Sequence, residues 1–254
     1  MLLQPIKAIT LIALSCFLAI SLHIHAQVPD SPYNLTLKKD LPITIGAVSL
    51  SIGSQQFQRY IKPLTPAQLS SLDRMQINRF DRPTSYNWRL SAKKGSDIVG
   101  MGAILLPVTL LAFKPVREDF PEILIMGIQT ISITNGITGF TKAAVRRNRP
   151  FTYIDATGNS DLADAQLKRD ARFSFFSGHT SLSASSTFFL AKVYSDYYPR
   201  SRAKPFVWTG AVILPAIVGA LRVRSGKHFP TDVITGYVVG AAVGFLTPQL
   251  HKNF

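Results

Sequence analysis

Long stretches without charged residues divide this sequence into blocks. Five blocks contain no Asp, Glu, Lys or Arg: 98–113, 123–141, 173–191, 205–221 and 233–250. Since a helix rises about 1.5 Å per residue, about 20 apolar residues cross the hydrocarbon core of a bilayer. A sixth block, 41–58, is diluted by serine and glutamine, and we expect a short or interfacial helix there, or a span that follows an uncleaved first segment. The pattern predicts an all-α transmembrane bundle with about five to six spanning helices.

The N-terminal residues have the features of an export signal. Lys7 precedes an uncharged stretch, 8–29, which is apolar as far as Ala26. A basic start, an apolar middle and a small residue at the end are typical of a signal peptide. We therefore interpret residues 1–26 as a signal peptide cleaved after Ala26, or as a retained N-terminal anchor. Residues 27–96 then form an N-terminal segment with a polar surface region, and residues 97–254 form the membrane domain.

Composition and charge exclude several classes of protein. Charged residues make up 17% of the chain, against about 25% in an average soluble domain, and 28 Lys and Arg face only 14 Asp and Glu. Because the apolar residues lie in long uncharged blocks, this positive charge does not indicate a nucleic-acid-binding protein. The single cysteine, Cys16, excludes a disulfide framework and a zinc site made of several thiolates. A soluble protein whose apolar helices bury one another is the alternative, but the number and length of the blocks favour a membrane protein.

The first of three basic clusters follows the block 123–141. Lys142 and Arg149 are seven residues apart, about two helical turns, so the spacing predicts that both cations lie on one helical face. Pro150 is expected to end that helix. Taken alone, the cluster is equally well explained as charge that anchors a helix at the membrane surface.

The second cluster is Ser177-Gly178-His179, inside the block 173–191. Ser177 can cap a helix that starts here, and Gly178 allows close backbone approach. The free N–H groups of the first helical turn form an anion site, beside which His179 can donate a proton. The alternative role of His179 is that of a simple helix cap.

The third cluster contains Arg222, His228 and Asp232. His228 and Asp232 are four residues apart, so on a helix they share a face. A carboxylate there can keep one imidazole nitrogen protonated and leave the other free as a nucleophile. Arg222 adds a cation from the end of the preceding apolar block.

Together the three clusters resemble the motifs of the type 2 phosphatidic acid phosphatase (PAP2) superfamily. The motifs are Lys-x6-Arg-Pro at 142–150, Ser-Gly-His at 177–179 and Arg-x5-His-x3-Asp at 222–232. The apolar blocks around them resemble the last four helices of that family's membrane bundle, so the resemblance implies an all-α fold of the PAP2/acid phosphatase type. The chain departs from the family pattern at Phe176, where the family usually has Pro, and at Leu221, where it usually has Ser.

The resemblance implies a metal-independent phosphatase that works through a phosphohistidine. His228 would attack phosphorus, Asp232 would orient His228, and His179 would protonate the leaving oxygen. The phosphate oxygens would be held by cations and backbone amides at Lys142, Arg149, Arg222, Ser177 and Gly178. No metal or other cofactor is implied, and we interpret four acidic residues of the intervening loop as solvated charges: Asp155, Asp161, Asp164 and Asp170.

The membrane setting suggests a phosphorylated lipid, a monoester or a diphosphate, as substrate. Three alternatives remain: a phosphatase for soluble phosphate esters, an enzyme like the vanadium haloperoxidases, and a non-catalytic protein that binds phospholipid. We expect a multi-pass protein of a bacterial-type inner (cytoplasmic) membrane, with the site facing the periplasm and the basic loop at 192–204 in the cytoplasm. Further basic residues near the motifs are expected to attract anionic headgroups: Arg146, Arg147, Arg224 and Lys227.

Overall fold

The computed structural model describes residues 31–253, so the predicted signal peptide or anchor lies outside the described residues. Within that range the chain forms helices and no β-sheet, apart from a single antiparallel bridge between Tyr33 and Lys252. The α-helices are α1 Leu37–Arg59, α2 Pro66–Ser70, α3 Leu90–Leu105, α4 Lys114–Glu118, α5 Phe120–Val145, α6 Ser160–Gln166, α7 Gly178–Tyr197, α8 Lys204–Arg224 and α9 Pro230–Leu250. The prediction of an all-α membrane bundle is confirmed.

Four helical stretches of the described chain are long and apolar enough to cross a membrane: Leu90–Ala112, Phe120–Tyr153, Lys204–Arg224 and Pro230–Leu250. Helices α1 and α7, with 23 and 20 residues, are comparable in length but more polar. Helix α1 extends beyond both ends of the block 41–58 and measures about 34 Å. Helix α7 begins only at Gly178, so the first residues of the block 173–191 form a loop.

Helix α7 occupies the middle of the bundle, where it packs against α3, α5, α8 and α9. At its contact with α9, the backbones of the two helices pack directly against each other. A Cβ atom at Gly236, Gly240 or Gly244 would lie 2.6, 2.1 and 2.2 Å, respectively, from the carbonyl oxygens of Ser177, Ser181 and Ser185. Side chains larger than hydrogen cannot fit there, and this small-residue packing is typical of membrane helices. The contact brings the N-terminal ends of α7 and α9 together, and those ends carry two of the three motifs.

The polar loops cover the end of the bundle at which α7 and α9 begin. A small apolar core joins residues 60–89 to residues 146–177: Leu64, Phe151, Leu162 and Ala171, with Trp88 packed against it. Gly226, at φ +70°, lies against Asn87, and a Cβ there would lie 1.8 Å from the Asn87 carbonyl oxygen. The N-terminal polar segment therefore fixes the backbone of the loop that carries His228.

The opposite end of the bundle is closed by a different set of polar contacts. Asp40 at the start of α1 accepts a hydrogen bond from His251, which follows α9 (2.8 Å). Tyr197 at the end of α7 donates to Asp119, which precedes α5. The loops between the long helices thus alternate between the two ends of the bundle.

Candidate active site

Helix α5 ends earlier than the spacing of its cations predicts. Arg146 adopts the left-handed conformation (φ +50°), and its N–H donates to the carbonyl oxygen of Lys142, which closes the helix at Val145. Arg149 lies beyond the helix in extended backbone (φ −75°, ψ 155°), as the residue before a proline prefers. The prediction that Lys142 and Arg149 share one helical face is therefore wrong, because the chain leaves the helix four residues before Pro150.

Arg149 nevertheless reaches the same site, because other groups hold its guanidinium. Its Nη2 donates to Oδ1 of Asp170 (2.7 Å), its Nε to the Asp170 carbonyl oxygen (2.8 Å) and its Nη1 to the carbonyl oxygen of Lys227 (2.9 Å). Only 3% of Arg149 is exposed. Burial alone would raise the pKa of Asp170, but Arg149 and the neighbouring cations hold it below its usual range. Asp170 is therefore a partner of Arg149 and not merely a solvated charge.

The hydrogen bonds of His228 determine which ring nitrogen is free. Nδ1 lies 2.7 Å from the carbonyl oxygen of Ser174, which can only accept, so Nδ1 carries the hydrogen. Nε2 lies 3.2 Å from Nη1 of Arg149, which can only donate, so Nε2 carries the lone pair. Burial and the positive charges of Arg149, Arg222 and Lys142 hold the pKa of His228 well below its usual range. The imidazole is therefore neutral at physiological pH, and the nitrogen that carries its lone pair faces Arg149.

Asp232 is fully buried behind His228, but the expected direct hydrogen bond between them is absent. Its Oδ2 lies 3.7 Å from Nδ1 of His228. That oxygen accepts instead from the Ser174 hydroxyl (2.5 Å) and the Phe229 amide (2.8 Å). Ser174 therefore links the two residues, since its hydroxyl donates to Asp232 while its carbonyl oxygen accepts from His228. The motif spacing contains no signal for Ser174.

Arg147 binds two buried carboxylates and is not a free surface charge. Its Nη1 donates to Asp232 (2.6 Å), and its Nη2 donates to Asp81 (2.7 Å). Asp81 also accepts from the amide and hydroxyl of Thr231 at the start of α9. Although burial would raise the pKa of Asp81, these hydrogen bonds hold it below its usual range. The expectation that Arg147 attracts lipid headgroups is therefore corrected.

The start of α7 has the capped geometry that the second motif predicts. The side chain of Ser177 accepts from the amide of Thr180 (3.4 Å). Its own backbone N–H donates to the carbonyl oxygen of Asp232 (3.0 Å), so the expectation that this amide holds phosphate is corrected. The amides of Gly178 and His179 belong to the first helical turn and have no acceptor within the helix. A Cβ at Gly178 would lie 3.3 Å from Nζ of Lys142, so the glycine leaves room for that cation.

Arg222 and His179 meet at a carboxylate that no motif contains. Oδ1 of Asp97, on α3, lies 3.1 Å from Nη1 of Arg222 and 3.1 Å from Nε2 of His179. Arg222 is only 4% exposed and also donates to the Ser96 hydroxyl (3.2 Å). Asp97 directly precedes the uncharged block 98–113, and nothing in the sequence pattern around it predicts a place in the site.

Lys227 is also buried, contrary to the expectation that it faces lipid headgroups. Its Nζ lies 4.3 Å from the ring centre of Phe151 and 5.1 Å from that of Trp88. Burial and the charge of Arg149 lower the pKa of Lys227 to about 8. Of the four cations expected at the membrane surface, Arg146 and Arg224 are exposed.

The three sequence motifs therefore meet at one place. Nη1 of Arg149 lies 3.2 Å from Nε2 of His228, Arg222 and His179 share Asp97, and Nζ of Lys142 lies beside Gly178. Within residues 31–253 no group of three or more His, Cys, Asp or Glu side chains could hold a metal ion. The arrangement combines an imidazole with a free lone pair, a second imidazole and fixed positive charge. These are the groups that bind and attack a phosphorus centre.

Comparison with known proteins agrees with this geometry. The family model described as "PAP2 superfamily" matches residues 123–254. A rat protein named phospholipid phosphatase 1 (Rattus norvegicus) is 36% identical over 97 residues, which cover 35% of this chain and 33% of the rat protein. An undecaprenyl-diphosphatase from Sulfolobus acidocaldarius is 26% identical over 156 residues, which cover 61% of this chain and 66% of the archaeal protein.

The matched part spans a third of the rat relative and just under two thirds of the archaeal one. No solved structure matches the chain. Lys142, Arg149, Ser177, Gly178, His179, Arg222, His228 and Asp232 all lie inside the family match, whereas Asp81 and Asp97 lie outside it.

Proposed function

The chain belongs to the PAP2 superfamily, and from this membership we propose that it is a metal-independent membrane phosphatase for a lipid phosphate monoester or diphosphate. The proposal rests on the tautomer and the hydrogen bonds of His228. Its Nδ1 is engaged by a carbonyl oxygen, and its lone pair on Nε2 faces Arg149. A neutral imidazole fixed in this way is an activated nucleophile beside an anion site.

In the proposed reaction, Nε2 of His228 attacks phosphorus in line with the leaving oxygen. The N–P bond forms as the P–O bond breaks, and His179 donates its proton to the leaving oxygen. In the second step water attacks the phosphohistidine, gives a proton to His179, and breaks the N–P bond to release phosphate. Ser174 and Asp232 stabilise the charge that His228 gains, because the carbonyl oxygen of Ser174 accepts from its N–H.

Fixed cations take the part that a metal ion plays in many phosphatases. Lys142, Arg149 and Arg222 would hold the non-bridging oxygens, together with the amides of Gly178 and His179. Phosphoryl transfer depends mainly on positioning and on charge stabilisation, and buried guanidinium groups supply both. Arg149 and Arg222 are almost fully buried, so their side chains are already fixed before substrate binds and need not be ordered by it.

A phosphorylated lipid is the substrate class that this position favours. Three stretches apolar enough to span a membrane begin or end at the site: Phe120–Tyr153, Lys204–Arg224 and Pro230–Leu250. A phosphate held there can leave its hydrocarbon chains among the helices and the lipid. The names of the two relatives, a phospholipid phosphatase and an undecaprenyl-diphosphatase, support a lipid substrate for this chain as well.

The proposal is tested by measuring phosphate release from phosphorylated lipids by the purified protein in detergent. We expect turnover of at least one lipid phosphate, unchanged by EDTA and inhibited by vanadate, which mimics the five-coordinate phosphorus of the transition state. Loss of activity on chelation would indicate a metal enzyme. Turnover of soluble esters alone, halide oxidation with peroxide and vanadate, or binding without turnover would each favour one of the alternatives instead.

We further propose that the protein lies in a bacterial-type inner membrane with the site facing the periplasm. The opposite end carries the basic residues Arg200, Arg202 and Lys204, which suit a cytoplasmic loop. In a Cys16→Ser background, an Asn159→Cys variant should react in intact spheroplasts with a membrane-impermeant thiol reagent. An Ala203→Cys variant should react only after permeabilisation, and the reverse pattern would overturn the orientation.

A further inference from the structure

One carboxylate outside the family match touches both a candidate phosphate-holding cation and the candidate acid. Oδ1 of Asp97 lies 3.1 Å from Nε2 of His179 and 3.1 Å from Nη1 of Arg222, while Oδ2 accepts from Lys93 (2.9 Å). The Asp97 side chain is 38% exposed and that of His179 is 43% exposed, so both border the open part of the site. Nothing in the three motifs requires an acidic residue at this place.

We propose that Asp97 is a positioning residue that selects the ring nitrogen with which His179 delivers its proton. The proposal rests on the phosphatase function proposed above. An ionised carboxylate only accepts hydrogen bonds, so Nε2 of His179 must carry a hydrogen and donate it to Asp97. In the protonated imidazole the remaining N–H is at Nδ1. The leaving oxygen therefore receives its proton from Nδ1.

Asp97 also offsets the positive charge around His179. Arg222 shares Oδ1 of Asp97 with His179, and a cation so near an imidazole opposes its protonation, whereas the carboxylate favours it. An acid catalyst must be protonated before the leaving group departs, and the cations that bind phosphate disfavour protonation of a nearby imidazole. A carboxylate in contact with His179 offsets part of that repulsion while leaving the cations in place.

The contacts of Asp97 keep it ionised and aimed in one direction. Lys93 lies one helical turn before it on α3 and pairs with Oδ2, and Arg222 pairs with Oδ1. Both cations stabilise the carboxylate form, so Asp97 remains an acceptor in both half-reactions. In the first, the proton moves from Nδ1 of His179 to the leaving oxygen as the P–O bond breaks. In the second, water returns a proton to Nδ1 as its oxygen bonds to phosphorus and the N–P bond breaks.

A change of leaving group separates this role from a structural one. We would compare a long-chain alkyl phosphate with an ester that carries the same chain on a nitrophenyl ring. The alkoxide needs a proton to leave, whereas the nitrophenolate leaves without one. For Asp97→Asn we expect kcat on the alkyl ester to fall by about 10²-fold or more, and kcat on the nitrophenyl ester to fall by less than about tenfold. Asp97→Glu, which keeps the charge, should recover part of the loss on the alkyl ester.

Two controls fix the interpretation. His179→Asn should show the same dependence on the leaving group, and the double variant with Asp97→Asn should lose little more than His179→Asn alone. Lys94 is exposed on the same helix, where Asp97 pairs with Lys93 instead, so Lys94→Gln should leave the ratio of kcat on the two substrates unchanged. Equal losses on both esters, or no loss on the alkyl ester, would overturn the role of Asp97. Wild-type protein that hydrolyses neither ester would instead overturn the proposed function.

Discussion

Replacement of His228 by asparagine is expected to lower the rate of phosphate release by at least about 10⁴-fold, as removal of an enzymatic nucleophile does elsewhere. Asparagine can still donate to the carbonyl oxygen of Ser174, but it has no nitrogen lone pair to present to phosphorus. Phosphate release from a lipid phosphate measures the effect. Brief reaction with ³²P-labelled substrate should also trap an acid-labile phosphoprotein in the wild type and none in the variant.

His251 provides a matched control for the loss of a buried histidine. It lies at the other end of α9, about 30 Å away along the helix, and pairs with the buried carboxylate of Asp40. His251→Asn should lower the resistance of the protein to thermal unfolding in detergent but keep the rate per folded molecule. Normal turnover by His228→Asn, or an equal loss of rate in His251→Asn, would contradict the nucleophile assignment.

Replacement of Arg149 by alanine should lower kcat/KM by about 10²- to 10³-fold, the usual cost of removing one fixed group that stabilises transition-state charge. The affinity for vanadate should fall in parallel, because vanadate occupies the same cations. Arg149→Lys should recover only part of the activity, since the three donors of an ammonium sit on one nitrogen and cannot reach the separate acceptors on Asp170 and Lys227 that Nε, Nη1 and Nη2 reach.

Arg169 is the control for Arg149. It belongs to the same polar loop, is exposed, and donates to the carbonyl oxygen of Ile61 away from His228. Arg169→Ala should leave both kcat/KM and vanadate affinity within about threefold of the wild type. If Arg149→Ala behaves like Arg169→Ala, the assignment of Arg149 to the phosphate site is wrong.

The helices were predictable because their signal is local. Uncharged blocks of sufficient length indicate membrane helices whatever their neighbours, and four such stretches occur in the described chain. The position of α7 in the bundle was harder to predict from its sequence. Its serine and threonine residues suggest an exposed helix, but they are buried against other helices. The end of α5 was misjudged, since Pro150 disfavours helix at Arg149 but does not say how many earlier residues also leave it.

The sequence by itself determined the helical class, the membrane setting and the residue types of the site, because block length and motif spacing are properties of neighbouring residues. Only the tertiary structure decided which partner each of these residues has. Asp97 and Arg222 are 125 positions apart, and Arg147 and Asp81 are 66 apart. No spacing rule connects such pairs, since their contact depends on how α3, α5, α8 and the polar loops pack. The same packing inserts Ser174 between His228 and Asp232, so the direct contact expected from a four-residue spacing gives way to a link through the carbonyl oxygen and the hydroxyl of Ser174.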